Sequence, residues 1–335
     1  MSQTIKPVWY PQTLNIYETQ TAISKTKRIF QDKLARALNL KRVTAPLFVE
    51  SHMGINDDLN GVERAVTFDI PETKGMAEIV HSLAKWKRLA LYQYGFSKGE
   101  GIYTDMNAIR RDEILDNFHS VYVDQWDWEV IIGREDRNLD FLKKTVHSIV
   151  GAICDTLSEI KEEYPALSIS LCRDVTFITS QELEDKYPGK TVKERENLIT
   201  REYQTVFVMQ IGDYLASGNK HDGRAPDYDD WKLNGDLLFY DPMLDCALEI
   251  SSMGIRVDEK SLAEQLVKSG CEGRKNLLFH QMLLDGTLPL TMGGGIGQSR
   301  LCMLLLEKAH VGEVQVSVWD KDTRQLAEEY EIKLL

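Results

Sequence analysis

The sequence predicts an α+β fold, an antiparallel sheet flanked by helices. Two observations carry that expectation. Segments with strand-like alternation come in pairs joined by short polar links, 101–111 with 119–132 and 236–240 with 247–257. Segments of helical period fall between these pairs, so strands and helices do not alternate one for one as a parallel βαβ sheet requires.

From the amino end, Ile16, Ala22, Ile29, Phe30, Leu34 and Leu38 recur at near-helical spacing and predict a helix over 14–40. Residues 41–50 contain RVTAPLFVE, whose β-branched and aromatic content predicts one strand with Pro46 at an edge or bulge. A polar, glycine-bearing loop is expected over 51–61, a strand over 62–70 and a turn over 71–75. SLAKWKRLALYQY, residues 82–94, fits an amphipathic helix with Ser82 as N-cap. The first hairpin turns through the acidic loop 112–117. Helices are expected over 138–163 and 180–203, the latter broken at Pro188 and Gly189, with strands at 169–179 and 205–211. Residues 212–233 are the longest stretch without periodicity. After the second hairpin, turned at Asp241 and Pro242, come helices over 261–269 and 274–284. The run GGGIGQSRL, residues 293–301, reads as a strand-to-helix turn leading into a last helix.

A chain of 335 residues, 43% hydrophobic, is ample for one large domain or two modest ones. Its formal charge of −12 argues against a generic nucleic-acid partner. Five scattered cysteines without a CxxC pair read as reduced thiols, not as a disulfide framework or zinc site. The amino end lacks the apolar core of a signal peptide, and no stretch is apolar for long enough to cross a bilayer. A soluble, intracellular protein is expected.

Three consecutive glycines allow the backbone close approach to a ligand, and the helix after them offers N–H groups to an anion, with Arg300 in its opening turns. Standing alone, the run reads as a tight turn with Arg300 merely salt-bridged. In HSVYVDQWDWEVI, residues 119–131, alternation sets Val123, Gln125, Asp127 and Glu129 on one face and Asp124, Trp126 and Trp128 on the other. Gln125 and Asp127 thus form a polar pair able to hold an amino group, although an edge strand with one wet face shows the same pattern. Further on, Glu249 and Ser251 share a side of one strand and Asp236 belongs to its neighbour. Two carboxylates there suit magnesium, or form a polar sheet face with surface ion pairs. Gly254 is placed for a bulge that redirects Arg256. Lys85 and Lys87 lie about 200° apart on one helix, so only one can face a site, and a solvated lysine is the default for either. Residues 218–236 are dense in Asp, His and Arg without EF-hand spacing, a solvated loop or a lid.

Together these segments resemble the ammonia-dependent asparagine synthetases, aspartate–ammonia ligases of the asparagine synthetase A type. The carrying blocks are HSLAKWKR (81–88), HSVYVDQWDWE (119–129), RAPDYDDW (224–231), LNGD (233–236), EISSMGIRVD (249–258) and GGGIGQSRL. They are long, unusual and spread over most of the chain. The resemblance implies a class II aminoacyl-tRNA synthetase-like catalytic domain, a single one over 1–335, with three hallmark motifs. The first is the helix ending near Leu40 plus the strand with Pro46, which implies a homodimer interface. The second is the hairpin with Ile109, Arg110, Arg111 and Asp112, and the third is the glycine run with Arg300. The second motif ends in Asp112 where the tRNA synthetases usually have Glu, which leaves the adenine contact expected from that Glu open. Only Lys232 separates Trp231 from Leu233, a shorter link than the resemblance implies, which bears on lid closure.

The resemblance further implies a cytoplasmic enzyme that converts L-aspartate, ATP and ammonia into asparagine, AMP and pyrophosphate through an aspartyl-adenylate. Arg110 and Arg300 would hold the α-phosphate, and Asp57 would sit where ammonia arrives. Lys87 would bind a substrate carboxylate, Gln125 and Asp127 the α-amino group, with Ser82 and Ser251 beside them. Asp229, Ser252, Arg256, Gly293, Gly294 and Gly295 would join the two arginines at ATP, and Asp236 and Glu249 would hold magnesium. No nucleic-acid or membrane partner is expected. A tRNA-charging enzyme is disfavoured because only 35 residues follow Arg300 and the net charge is acidic. A glutamine-using synthetase is disfavoured because no cysteine precedes Cys154, and a non-catalytic sensor because Arg110, Arg300 and both metal carboxylates are present.

Overall fold

The structure, a computed structural model, describes residues 4–10, 12–56 and 63–335. Helix α1 (Ile16–Leu38) begins at Asn15, whose side chain accepts the Glu18 N–H while the Glu18 carboxylate accepts that of Asn15. It ends at Asn39, which takes the left-handed conformation (φ 54°). The single strand expected over 41–50 is instead two, β1 (Leu40–Arg42) and β2 (Phe48–Glu50), which join different sheets. Pro46 lies between them and has no N–H to give to a ladder.

β3 (Thr67–Ile70) and β4 (Gly75–Ile79) form a hairpin. β4 escaped the sequence reading because its exposed start leaves little alternation to detect. Then follow α2 (Ala84–Gln93), β5 (Gly101–Ile109), β6 (Tyr122–Ile131), α3 (Leu139–Glu163), β7 (Thr176–Thr179), α4 (Ser180–Lys186), α5 (Val192–Tyr203) and β8 (Thr205–Met209). The rest comprises β9 (Asp229–Asp241), β10 (Cys246–Arg256), α6 (Glu259–Lys268), α7 (Leu278–Leu284), β11 (Thr291–Gly297), α8 (Gln298–Leu305) and α9 (Lys321–Glu329), the last not anticipated.

The large sheet has the order β1-β5-β6-β11-β10-β9-β8-β7 and the small one β2-β4-β3. Pairing is antiparallel except at the margins, where β1 runs parallel to β5 and β7 to β8. α1, α3 and α8 cover one face of the large sheet, the rear, and share the main core with Trp126, Trp128 and Met253. Phe30 meets Trp126 there with ring centroids 4.7 Å apart. Each large apolar side chain so buried contributes about 1.5–3 kcal/mol.

Two expectations change in ways that matter for the site. The glycine run is not a turn but β11, lying between β6 and β10 near the middle of the sheet. None of Gly293, Gly294 and Gly295 has a positive φ, so their purpose is absence of bulk. A Cβ on Gly293 would strike the Glu129 carboxylate, one on Gly295 the Gln125 side chain, and one on Gly294 would lie 2.5 Å from Met253 Cβ. The aperiodic stretch also stops at Tyr228, because β9 starts at Asp229 and carries Trp231, Lys232 and Leu233 as consecutive residues. Its first residues look like loop because they are acidic, yet Asp229 and Asp230 are buried and paired with Arg256 and Arg137. Among the described residues no helix is long and apolar enough to cross a membrane.

Candidate active site

The front face of the central strands carries a cleft of about 360 Å³. From Gln125 on, β6 alternates as expected: Gln125 and Asp127 line the cleft with Val123, while Trp126 and Trp128 are fully buried behind it; Asp124, expected on the Trp126 face, lines the cleft as well. Glu129, next on the front face, grips Arg256 through Nε (3.0 and 3.1 Å) and Nη2 (2.8 Å). The register shifts between Gly254 and Arg256, the bulge that turns Arg256 toward Glu129 and Asp229. Burial works against Glu129's charge, and Arg256 more than offsets it, leaving the carboxyl below its ordinary range. Arg256 is therefore committed to interior partners although it lines the cleft.

Lys87 reaches the cleft floor from α2, donating to Asp127 and to the Gly294 carbonyl at 3.1 Å. Burial lowers its pKa, with Asp127 opposing. Lys85 corrects the expectation of a solvated lysine, for it is buried as well, 3.4 Å from both Asp227 and the Gly54 carbonyl. The two lysines do face apart; α2 is enclosed on both sides. Ser82 lines the cleft and its hydroxyl accepts the Ala84 N–H at 3.1 Å, although the cap position itself is Leu83. Ser251 donates to the Gly295 carbonyl at 2.9 Å. A register shift between Glu249 and Ser251 breaks strict alternation, so Glu249, Ile250, Ser251 and Ser252 all line the cleft. Asp127 Oδ2 is buried with no hydrogen-bond partner.

At the other end stands Arg110, whose Nη2 donates to the His81 carbonyl at 3.4 Å. Its Nε is buried without a partner, and among the described residues it makes no ion pair. Arg300 donates to the Phe118 carbonyl (3.3 Å) and the Glu249 carbonyl (3.1 Å), with the Glu249 carboxylate 3.8 Å away. The N-terminus of α8 does not wait for an external anion, because the Ser299 N–H donates to Asp124 at 3.0 Å. Asp112 is held by Arg64 through two contacts of 3.0 and 3.1 Å from Nε.

Asp236 does not line the cleft. Its carboxylate is paired with Arg224, which does. Burial raises Asp236 well above the ordinary carboxylate range, Arg224 opposing while Glu249 and Asp222 add to the rise. Glu249 stays below that range, held by Arg300 and Arg224 against its own desolvation. Among the described residues no group of three or more His, Cys, Asp or Glu side chains converges on a metal position. Gly294 and Gly295 border the cleft, whereas Gly293 lies under Glu129 and outside it. Asp229, paired with Arg256, is at its edge. Asp57 falls outside the described residues. Arg224, Tyr228 and Asp222 line the cleft without having been assigned a role from sequence; the density of Asp and Arg in their loop is the one signal for them.

A central antiparallel sheet, one arginine from the β5–β6 hairpin and another from the helix after a glycine strand define a class II aminoacyl-tRNA synthetase-like catalytic domain. The Entamoeba histolytica asparaginyl-tRNA synthetase in complex with asparaginyl-adenylate matches with a TM-score of 0.65 at 13% identity, over 90% of this chain and 66% of that one. The Pyrococcus horikoshii asparaginyl-tRNA synthetase complexed with asparaginyl-adenylate matches with 0.65 at 17%, over 89% and 68%. At such identities the likeness is one of fold. Residues 17–331 match the AsnA family, aspartate–ammonia ligase. Aspartate–ammonia ligase of Clostridium perfringens is 60% identical over 339 aligned residues, all of both chains. That of Ruminiclostridium cellulolyticum is 57% identical over 336, again all of both, and that of Bacillus cereus 56% over 325, 97% of this chain and 99% of its own. The chain belongs to the aspartate–ammonia ligase family.

Proposed function

We infer that the cleft makes asparagine from aspartate, ATP and ammonia in two steps, as one catalytic domain over 1–335. A carboxylate is a poor acyl donor, so the side-chain carboxylate of aspartate first attacks the α-phosphorus of ATP. Pyrophosphate leaves and a mixed anhydride forms. Ammonia then attacks the acyl carbon, AMP departs with the bonding electrons, and nitrogen gives up a proton.

The observation that carries this reading is a pair of buried, unsatisfied groups in one cleft, Asp127 Oδ2 and Arg110 Nε. A buried acceptor and a buried donor left without partners are costly unless a ligand supplies them. An amino acid's ammonium answers the first and a phosphate oxygen the second. Gln125 would share the α-amino group with Asp127, and Lys87 would meet the α-carboxylate, with Ser82 and Ser251 at its border. Arg110 and Arg300 would stabilise charge on the α-phosphate as pyrophosphate leaves. Ser252, Gly294 and Gly295 would border the nucleotide. Asp229, Arg256 and Gly293 belong to the wall that keeps Glu129 in place and would act on ATP through it.

Asp236 and Glu249 suit a magnesium ion, since burial first and then repulsion from Glu249 and Asp222 raise Asp236, and a divalent cation would offset both. Bound there, magnesium would neutralise phosphate charge. Arg224 holds Asp236 meanwhile. Asp57, by resemblance, would attract ammonium and take or relay its proton. Cytoplasmic residence and a homodimer through the Pro46 segment complete the proposal.

The test is product analysis. With aspartate, ATP, magnesium and ammonium the products should be AMP and pyrophosphate, whereas ADP and phosphate would remove the adenylate. Glutamine in place of ammonium should give little asparagine. Asp57→Asn should keep aspartate-dependent pyrophosphate exchange and lose ammonia-dependent synthesis; equal loss of both would move Asp57 to substrate binding.

A further inference from the structure

Arg300 is the third residue of α8, so the placement of that helix's first turn decides where its guanidinium points. That turn is gripped by side chains that are in turn held from α1 and β1. Asp124, on β6 next to Gln125 and itself part of the cleft lining, accepts the Ser299 N–H at 3.0 Å and the Gln315 amide at 3.3 Å. The Gln315 amide also reaches the Ser299 hydroxyl at 3.1 Å. The other oxygen of Asp124 accepts from Lys27 of α1 at 2.9 Å. Asp124 is 6% exposed, and less than a third of the Lys27 side chain remains accessible. A second, more exposed arm repeats the pattern. The Gln298 amide donates to Asp105 of β5 at 2.8 Å, and Asp105 pairs with Arg42 of β1 at 2.6 Å. The two residues before Arg300 are thus each tied to a carboxylate, and each carboxylate is held by a cation from the α1–β1 segment.

We propose that Lys27 is a positioning residue for Arg300, acting through Asp124 on the first turn of α8; the proposal rests on the role given to Arg300 above. The physical argument concerns what Asp124 would do alone. A buried carboxylate on a helix N-terminus is favoured by the helix dipole, but one hydrogen bond and one amide leave it free to pivot. Lys27, outside the cleft lining, fixes its second oxygen. Phe30, one turn along α1, packs on Trp126, two residues along β6, so helix and strand are locked in register around that ion pair. Lys27 touches no reacting atom and lies on the far side of the sheet. Its effect is on where Arg300 sits when charge develops on the phosphate.

A double-mutant cycle tests this in the full-length protein by aspartate-dependent pyrophosphate exchange. Misplacing a catalytic group from a distance costs about tenfold to a hundredfold, so Lys27→Met should lower the kcat of exchange by that order and leave the aspartate KM unchanged. Lys27→Arg, which keeps the cation, should restore most of the rate. Asp124→Asn, whose amide oxygen still accepts the Ser299 N–H, should match Lys27→Met. The deciding measurement is Lys27→Met combined with Arg300→Ala, which should be no slower than Arg300→Ala alone. If the two losses multiply in full, Lys27 acts on general stability and the proposal is overturned. If Arg300→Ala itself retains exchange, the role of Arg300 has failed and the proposal falls with it.

Discussion

Arg110 and Asp241 show two opposite uses of a buried, incompletely bonded side chain. Arg110 makes no ion pair among the described residues and holds one carbonyl, so its removal costs the fold little. Arg110→Ala should lower pyrophosphate exchange about a hundredfold, the loss of one preorganised cation near developing charge. Near-normal exchange in a folded variant would make it structural. Asp241 is 1% exposed at the β9–β10 turn, where Oδ1 accepts the Met243 N–H at 2.9 Å and Oδ2 has no partner. Burial raises its pKa to about 6, two backbone N–H groups opposing. The folded state therefore binds this proton more tightly than the unfolded chain does. Stability falls as pH rises from the ordinary carboxylate range to about 6 and is level above it. Asp241→Asn should be neutral near pH 4 and stabilising above pH 6, by up to about 3 kcal/mol, in denaturant titrations at both pH values. Equal effects at the two would refute the assignment. At this scale the sequence was informative wherever a strand is regular, as from Gln125 to Glu129. It was silent on Ile250, because a bulge depends on the partner strand, and on Lys27 and Asp124, which are 97 residues apart.

β11 is the element whose chemistry the sequence misreads. Glycine carries no strand signal, so a run of three suggests a turn until the neighbouring side chains are in place. The strand exists because Gln125 and Glu129 lean across it on the front and Met253 closes on it from β10. Gly294→Ala would bring its Cβ against Met253 Cβ and the Ser252 carbonyl, neither of which a rotamer change can move. A loss of about 1–3 kcal/mol is expected, read as a lower denaturant midpoint with unchanged slope. Gly295→Ala meets a side chain instead, so Gln125 should swing away. The aspartate KM should then rise more than that of ATP, and equal rises would show that Gln125 does not touch the amino acid. The β5–β6 and β9–β10 hairpins were legible from alternation. The division at Pro46 and the acidic start of β9 were not, since both follow from tertiary partners.

Across the whole molecule, the small sheet leaves Leu47, Phe48, Phe68 and Met76 exposed beside Pro46. Phe48 and Phe68 are in edge contact at 5.2 Å. Apolar surface of that kind on a chain of net charge −12 fits a covered face. Equilibrium sedimentation at micromolar concentration should give a dimer, and Phe48→Glu should shift it toward monomer; a wild-type monomer would rule the interface out. The strand order was beyond sequence reading, because nothing local says that β11 belongs between β6 and β10. That placement has a temporal side. The strands β1, β5 and β6 and the strands β10, β9, β8 and β7 touch each other in the large sheet only through β11. On a ribosome, each half-sheet emerges with an inner edge, β6 in one and β10 in the other, that must wait for Thr291 to Gly297 before it can close. The binding face straddles that join, so no earlier portion of the nascent chain holds a finished pocket. Catalytic competence should arrive all at once, late in synthesis, and whatever shields those two edges in the interval guards the enzyme's yield.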